Sequence, residues 1–288
     1  MDNHRFRRFA IIGTGRVAQA LALGLAPYSA EPLLLWGRSP EQLAAAALRT
    51  GAAAASLGEV ASSCDVIAIA VSDDALAAVA NALAAAIADN ETPFVFHVSG
   101  RSGVAVLEPL QAAGALTAAI HPAMTFTGQP ESEVARMAGA RFAITGSTAA
   151  AAELARSIVG LLKGTAVAIP EERRALYHAA LCHASNHLVT LLSGATHALA
   201  TAGVDDPAAL LAPLVRASLE NSLEHGFTAL SGPLLRGDHQ TIEGHLDALE
   251  AYCPDLLPAY RAMALATLDE LERPGAPDAS STLRRRLV

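Results

Sequence analysis

Two kinds of hydrophobic segment alternate over the first 170 residues of the chain. Short, unbroken apolar runs bounded by turn residues lie at Phe9–Ile12, Leu33–Trp36, Val66–Val71, Phe94–Val98, Leu116–Ile120, Phe142–Thr145 and Thr165–Ile169. Runs of that length with no polar alternation are the pattern of strands buried on both faces. Alanine-rich stretches such as Arg16–Leu25, Pro40–Arg49 and Ala75–Ile87 separate them and read as helices. Strand–helix alternation predicts a mainly parallel sheet with right-handed crossovers.

After Pro170 the pattern changes. Glu171–Thr201 reads as one long helix, and Asp205-Asp206-Pro207 starts another, with proline in its first turn. A loop from Ser231-Gly232-Pro233 through Gly237-Asp238 precedes helices at Thr241–Tyr252 and Asp255–Leu271. From Arg273 the chain is rich in Pro, Gly, Ser and Arg and is expected to be loose. The expected fold class is α/β, with a parallel-sheet domain over residues 1–170 and an all-helical domain over 171–288.

Composition narrows the partners. Hydrophobic residues make up 52% of the chain and charged residues 17%, enough for a sizeable core. The formal net charge of −8 argues against nucleic acid or an anionic membrane as the main partner. The basic run Arg284–Arg286 reads as a solvated tail. Three widely spaced cysteines, Cys64, Cys182 and Cys253, form neither a disulfide framework nor a zinc spacing, which suits a reducing compartment. No segment of signal-peptide or membrane-span type is evident, so a cytoplasmic protein is expected.

The first strand runs into Gly13-Thr14-Gly15-Arg16-Val17-Ala18, a G-x-G-x-x-A turn that opens a helix. Gly13 permits the tight turn, Gly15 admits a pyrophosphate close to the backbone, and Ala18 keeps the helix near the strand. The anion then meets the free N–H groups of Thr14, Gly15, Arg16 and Val17 and the helix dipole. The second strand ends in Trp36-Gly37-Arg38-Ser39-Pro40, without the acid that grips a ribose 2′-hydroxyl. Arg38 and Ser39 suit a 2′-phosphate instead, which points to NADP. On the bland reading Arg38 is a solvated surface residue and Ser39 a helix cap.

With these residues in place, the chain resembles proteins that join an N-terminal Rossmann-like domain to a C-terminal helical DUF2520 domain. These are relatives of pyrroline-5-carboxylate reductases, F420-dependent NADP oxidoreductases and β-hydroxyacid dehydrogenases. The matching segments are IIGTGRVA, LLLWGRSP, VIAIAVSDDAL, HVSG, AIHPAMTF, YHAALCHASNHLV and LSGPLLRGDHQTIEGHL. The resemblance implies that the first helix of the second domain faces the nicotinamide. It also implies that residues around Ser99 line the substrate pocket, and that the helical domains pair into a homodimer.

Ligands of open parallel sheets gather at the C-terminal ends of the strands. Ser72 and Ser99 fall there as candidate cofactor contacts and His121 as a candidate catalytic residue; capping, a turn and a hydrogen-bonded structural role are their alternatives. The helix Tyr177–Leu192 carries His178, Cys182 and Ser185 within about 60° of one another, with Asn186 close by. A polar stripe on a buried helix needs partners, which a substrate pocket, an interhelical network or a dimer interface can supply. β-Hydroxyacid dehydrogenases carry a lysine on this helix; the single lysine here, Lys163, precedes it. On spacing, Cys182 or His183 stands in the lysine's place, and Asn186 or His187 in that of its asparagine. His121, His178 or His183 is then the candidate acid for carbonyl reduction, whereas an iminium substrate needs none. His183 and His187 share a face, but Ala184 stands where a metalloprotease pattern has glutamate, and no third metal ligand is evident. Arg236 either clamps a substrate anion or fixes its own loop. The expected function is NADP(H)-dependent hydride transfer to or from a small carbonyl or imine compound. The alternative is a non-catalytic NADP(H)-binding redox sensor.

Overall fold

The computed structural model describes residues 6–88, 92–272 and 281–288. Among them are eight strands: β1 Phe9–Ile12, β2 Leu34–Trp36, β3 Ala53–Ala54, β4 Val66–Ile69, β5 Phe94–His97, β6 Leu116–Pro122, β7 Arg141–Gly146 and β8 Thr165–Ala168. The helices are α1 Arg16–Leu25, α2 Pro40–Thr50, α3 Leu57–Ser63, α4 Asp73–Ala84, α5 Glu108–Ala112, α6 Pro130–Met137 and α7 Ala149–Leu161. They continue with α8 Arg174–Thr201, α9 Pro207–His225, α10 Pro233–Arg236, α11 His239–Tyr252, α12 Leu257–Leu271 and α13 Ser281–Leu287. None of the described helices is long and apolar enough to cross a membrane.

The strands form one sheet in the order β3-β2-β1-β4-β5-β6-β7-β8. Every pairing is parallel except β6 with β7. Successive side chains of a strand point to opposite faces. Phe9 and Ile11 of β1 enter one core layer with Val66, Ala68, Phe94 and Phe96. Ala10 and Ile12 enter the other with Ile67, Ile69 and Val95. Helices cover both faces, which is why these strands carry no polar alternation. β3 escapes the sequence pattern because its two alanines are exposed and carry no β-branched or aromatic residue.

The chain divides into two compact units, Met1–Cys182 and His183–Val288, and the division falls within α8. The second unit is helical. Its core gathers Ile242, Leu246, Ala264, Leu268, Leu283 and Leu287. The basic run near the C-terminus is not a solvated tail. It lies on α13, where Arg284 pairs with Asp269 and Glu272 while Leu283 and Leu287 are buried. Residues 273–280, expected to be loose, lie outside the described residues. The loop around Pro233 contains the short helix α10.

Two helices depart from the expectation of burial. On α8 only Arg174 is buried, and Leu176 and Val189 are exposed. The polar stripe is nevertheless its covered side, because His178, Cys182 and Ser185 are half-buried while their neighbours Ala179, His183 and Asn186 are exposed. On α9 no residue is buried, and Leu214 and Leu223 are 61% and 80% exposed.

Candidate functional site

The sheet order reverses between β1 and β4, the place where open α/β sheets hold ligands. A cleft of about 550 Å³ opens there. It is lined by Gly13–Gly15 from the β1–α1 turn, Trp36–Ser39 and Gln42 from the β2–α2 turn, and Ala70–Ser72 beyond β4. The turn has two different glycines. Gly13 has φ +133°, and a Cβ there would lie 2.2 Å from the Ala70 carbonyl oxygen, so backbone packing alone excludes a side chain. Gly15 is extended at φ −74°, and a Cβ there would meet nothing within 4 Å. Its missing side chain leaves the cleft open over the start of α1. The first-turn N–H groups of α1, including those of Arg16 and Val17, have no partner within the helix.

Of the candidate cofactor residues, the structure brings Gly13, Thr14, Gly15, Arg38, Ser39 and Ser72 to this cleft. Arg38 is exposed at the end of β2 and makes no ion pair or hydrogen bond among the described residues. Ser39 caps α2 by accepting from the Gln42 N–H at 3.3 Å, as its bland reading supposed. Ser72 occupies the N-cap position of α4, but its hydroxyl makes no cap bond and is exposed. The Arg16 side chain turns away and donates to the Phe126 carbonyl, while Val17 packs on the core. Ser99 serves a turn: its hydroxyl accepts from Ser102 N–H and its N–H donates to His97 Nδ1.

Further along the same C-terminal edge, β5 and β6 bring four histidine and tyrosine side chains together with α8. His97, fully buried, uses both ring nitrogens: Nδ1 accepts from Ser99 N–H and Nε2 bonds the Gly103 carbonyl at 2.8 Å. Burial first, and then the Arg174 charge, push its pKa down to about 4. His121 Nδ1 shares a hydrogen bond with the Tyr177 hydroxyl at 2.9 Å. The same ring packs edge-on against both Tyr177 and His178. Burial, then Arg174 and His178, lower the His121 pKa to about 4 as well. His178 Nε2 lies 3.8 Å from Cys182 Sγ. Gly100 makes the approach possible, since a Cβ there would stand 2.4 Å from His178 and 3.0 Å from His121.

The start of α8 is pinned from below. Arg174 is fully buried and donates to the Ser99 carbonyl at 2.8 Å and the Thr145 hydroxyl at 3.1 Å. No carboxylate pairs with it among the described residues, and its Nε has no partner. Glu171 uses both carboxylate oxygens to accept from the N–H groups of Val104 and Ala105. Burial raises the Tyr177 pKa, and the nearby Arg174 charge opposes that rise.

His121 and His178 thus meet, as candidates for one site. His183 and Asn186 fall in the second unit, both exposed on α8. His183 bonds His187 at 3.0 Å. The described residues contain no group of three His, Cys, Asp or Glu able to hold a metal. Arg236 is exposed and forms no ion pair with Asp238, which instead caps α11 through Thr241. Sequence reasoning passed over Tyr177 and Arg174. Extending the stripe at 178, 182 and 185 one turn backwards reaches Arg174, and that signal was present.

A doubly wound sheet with a glycine turn at its switch point is a Rossmann-like architecture. Residues 2–122 match the family model of a Rossmann-like domain. Residues 140–267 match that of DUF2520, a domain of unknown function, so the chain carries both domains in that order. No curated protein matches the sequence. Among solved structures, a candidate NADP oxidoreductase from Bacteroides fragilis is 20% identical with a TM-score of 0.76, covering 93% of this chain and 99% of that one. A pyrroline-5-carboxylate reductase from Coxiella burnetii is 18% identical at TM-score 0.56, with 97% of each chain covered. A reductive aminase from Aspergillus terreus, solved with NADPH and ethyl levulinate, is 17% identical at TM-score 0.66, covering 97% of this chain and 99% of that one. At these identities the likeness is one of fold.

Proposed function

We propose that the protein is an NADP(H)-dependent oxidoreductase acting on a small carbonyl or imine compound. The observation that carries this reading is the cleft itself: open space over Gly15, and at the end of β2 an arginine with no hydrogen bond or ion pair among the described residues. A diphosphate fits the start of α1, where free N–H groups and the helix dipole favour an anion. Arg38 would pair with a phosphate on the adenosine ribose, as no acid on β2 opposes it. Ser39 and Gln42 flank that position. When bound, the nicotinamide supplies or accepts a hydride at its ring carbon.

The histidine cluster lies at the ends of β5 and β6, one and two strands beyond β4, so about 5–10 Å further along the sheet edge. A dinucleotide that starts at Gly15 runs toward it. Half-buried side chains there can receive a small substrate and exclude part of its water. The names of the fold relatives agree, since a pyrroline-5-carboxylate reductase and a reductive aminase solved with NADPH are among them. The domains would divide the work near residue 170, with nucleotide before it and substrate and subunit contacts after it.

The test is a titration of wild type and Arg38→Ala with NADPH and NADH. Losing a charge-assisted pair worth about 2 kcal/mol weakens NADPH about 30-fold and leaves NADH unchanged. An unaltered preference removes Arg38 from recognition. Saturable binding without turnover of any ketoacid or cyclic imine would instead favour a redox sensor.

The exposed leucines of α9 support a homodimer through the helical unit, because a helix that buries nothing within its own chain leaves its apolar surface to a partner. Leu214→Glu with Leu223→Glu is expected to sediment as a monomer where the parent sediments as a dimer. A monomeric parent ends that proposal.

A further inference from the structure

We infer that the Tyr177 hydroxyl is the proton donor of the reaction and that His121 is the relay that refills it. The inference rests on the oxidoreductase reading above and adds a residue to it.

Geometry comes first. The hydroxyl is 2.9 Å from His121 Nδ1, and both side chains are half-buried, so each is within reach of a bound molecule. The pair sits where β6 ends, on the edge that the cleft also opens onto. Its position is fixed from three directions. Glu171 fastens the residues before α8 to Val104 and Ala105, Arg174 fastens its first turn to Ser99 and Thr145, and Gly100 leaves room for the two imidazoles.

Charge then assigns the roles. The groups facing His121 are Arg174, Tyr177 and His178 from α8, Asp73 from the start of α4 and His97 from β5. The sum of their effects and of burial keeps the imidazole neutral at pH 7, with a pKa of about 4. A neutral imidazole is a poor standing acid but passes a proton between its two nitrogens' partners. Tyr177, by contrast, keeps its proton, because burial raises its pKa. Arg174 is a buried cation that hydrogen-bonds no carboxylate among the described residues, and it steadies the phenolate once it forms.

The step balances as follows. Bound NADPH would supply a hydride to the substrate carbon, and the C=O or C=N electron pair would move onto the heteroatom. The heteroatom takes the proton of the Tyr177 hydroxyl. The phenolate takes the proton of His121 Nδ1–H, and His121 Nε2 takes one from a water molecule, whose hydroxide is released to solvent. An alcohol or amine and NADP⁺ result.

Three measurements test this on the full chain. Wild type is first assayed for NADPH binding and for oxidation of NADPH with ketoacids and cyclic imines. Absence of all turnover overturns the oxidoreductase reading and this inference with it, before any substitution is made. Given turnover, Tyr177→Phe is expected to bind NADPH as wild type does and to lose about 100-fold in kcat. In the cofactor-free protein the same substitution is expected to shift the ring resonances of His121 in NMR spectra, since its hydrogen-bond partner is gone. A kcat within twofold of wild type, or unmoved His121 resonances, overturns the inference while leaving the oxidoreductase reading intact.

Discussion

The two ends of the candidate site are built from different material. The cleft at β1 and β4 is built chiefly on backbone, a glycine turn and a helix start, with side chains such as Arg38, Ser39 and Gln42 at its β2 side. The cluster at β5 and β6 is made of side chains from residues 97, 121, 174, 177 and 178, which only the fold brings together. A backbone site needs a contiguous stretch of sequence with defined conformations. A side-chain site needs correct packing between distant elements, and it can be retuned by changing a single residue.

Substitutions should separate the two ends. The largest effect is expected at Gly13. Alanine there must adopt a left-handed conformation and also pushes against the Ala70 carbonyl, so Gly13→Ala should cost about 3 kcal/mol or more in thermal unfolding. A loss below about 1 kcal/mol would mean the turn can yield.

Next is acid sensitivity at the side-chain end. His97 has a folded pKa of about 4 against imidazole's usual 6.5, so between these values the unfolded chain binds a proton that the folded chain refuses. The stabilisation is complete above pH 6.5 and is lost as pH falls toward 4, amounting to about 3 kcal/mol. Unfolding followed across that range should show a shallower slope in His97→Gln; equal slopes would assign the acid sensitivity elsewhere.

Gly100→Ala should cost about 1 kcal/mol, because the atoms it meets belong to imidazole rings that can move. It should nonetheless lower kcat by displacing them. Gly15→Ala should change stability least, within about 0.5 kcal/mol, since nothing lies near its Cβ. Its effect should appear in NADPH affinity alone, as measured by titration. Equal stability losses at Gly13 and Gly15 would erase the distinction between a glycine kept for the fold and one kept for a ligand.

The backbone end was legible in the sequence for a physical reason. An apolar run, a glycine turn and an alanine helix are local signals, and six of the nine candidate cofactor residues line the cleft. Arg16 and Val17 enter as N–H groups at the start of α1 and not through their side chains, of which that of Arg16 meets the Phe126 carbonyl, while Ser99 lies beyond β5 and serves a turn. At the other end, His121 and His178 were legible as chemistry-bearing residues, but not as neighbours. Tyr177 was hidden because a tyrosine on a largely apolar helix gives no sign of its partner until β6 is placed beside it. The exposure of α8 and α9 was hidden too, since an apolar helix reads alike whether its own chain or another covers it.

Glu171 has a consequence for how much this family of arrangements can drift. Because both its oxygens are committed to Val104 and Ala105, the helix that follows starts at a fixed angle, like a clock hand set at the hub. One residue inserted between Glu171 and Tyr177 would rotate the hydroxyl by about 100° and aim it away from β6, whereas a change of length beyond Tyr177 would leave its bearing untouched. On the proposed role of Tyr177, a change of length between Glu171 and His178 breaks the cluster, whereas one further along α8 leaves the Tyr177–His121 pair in place.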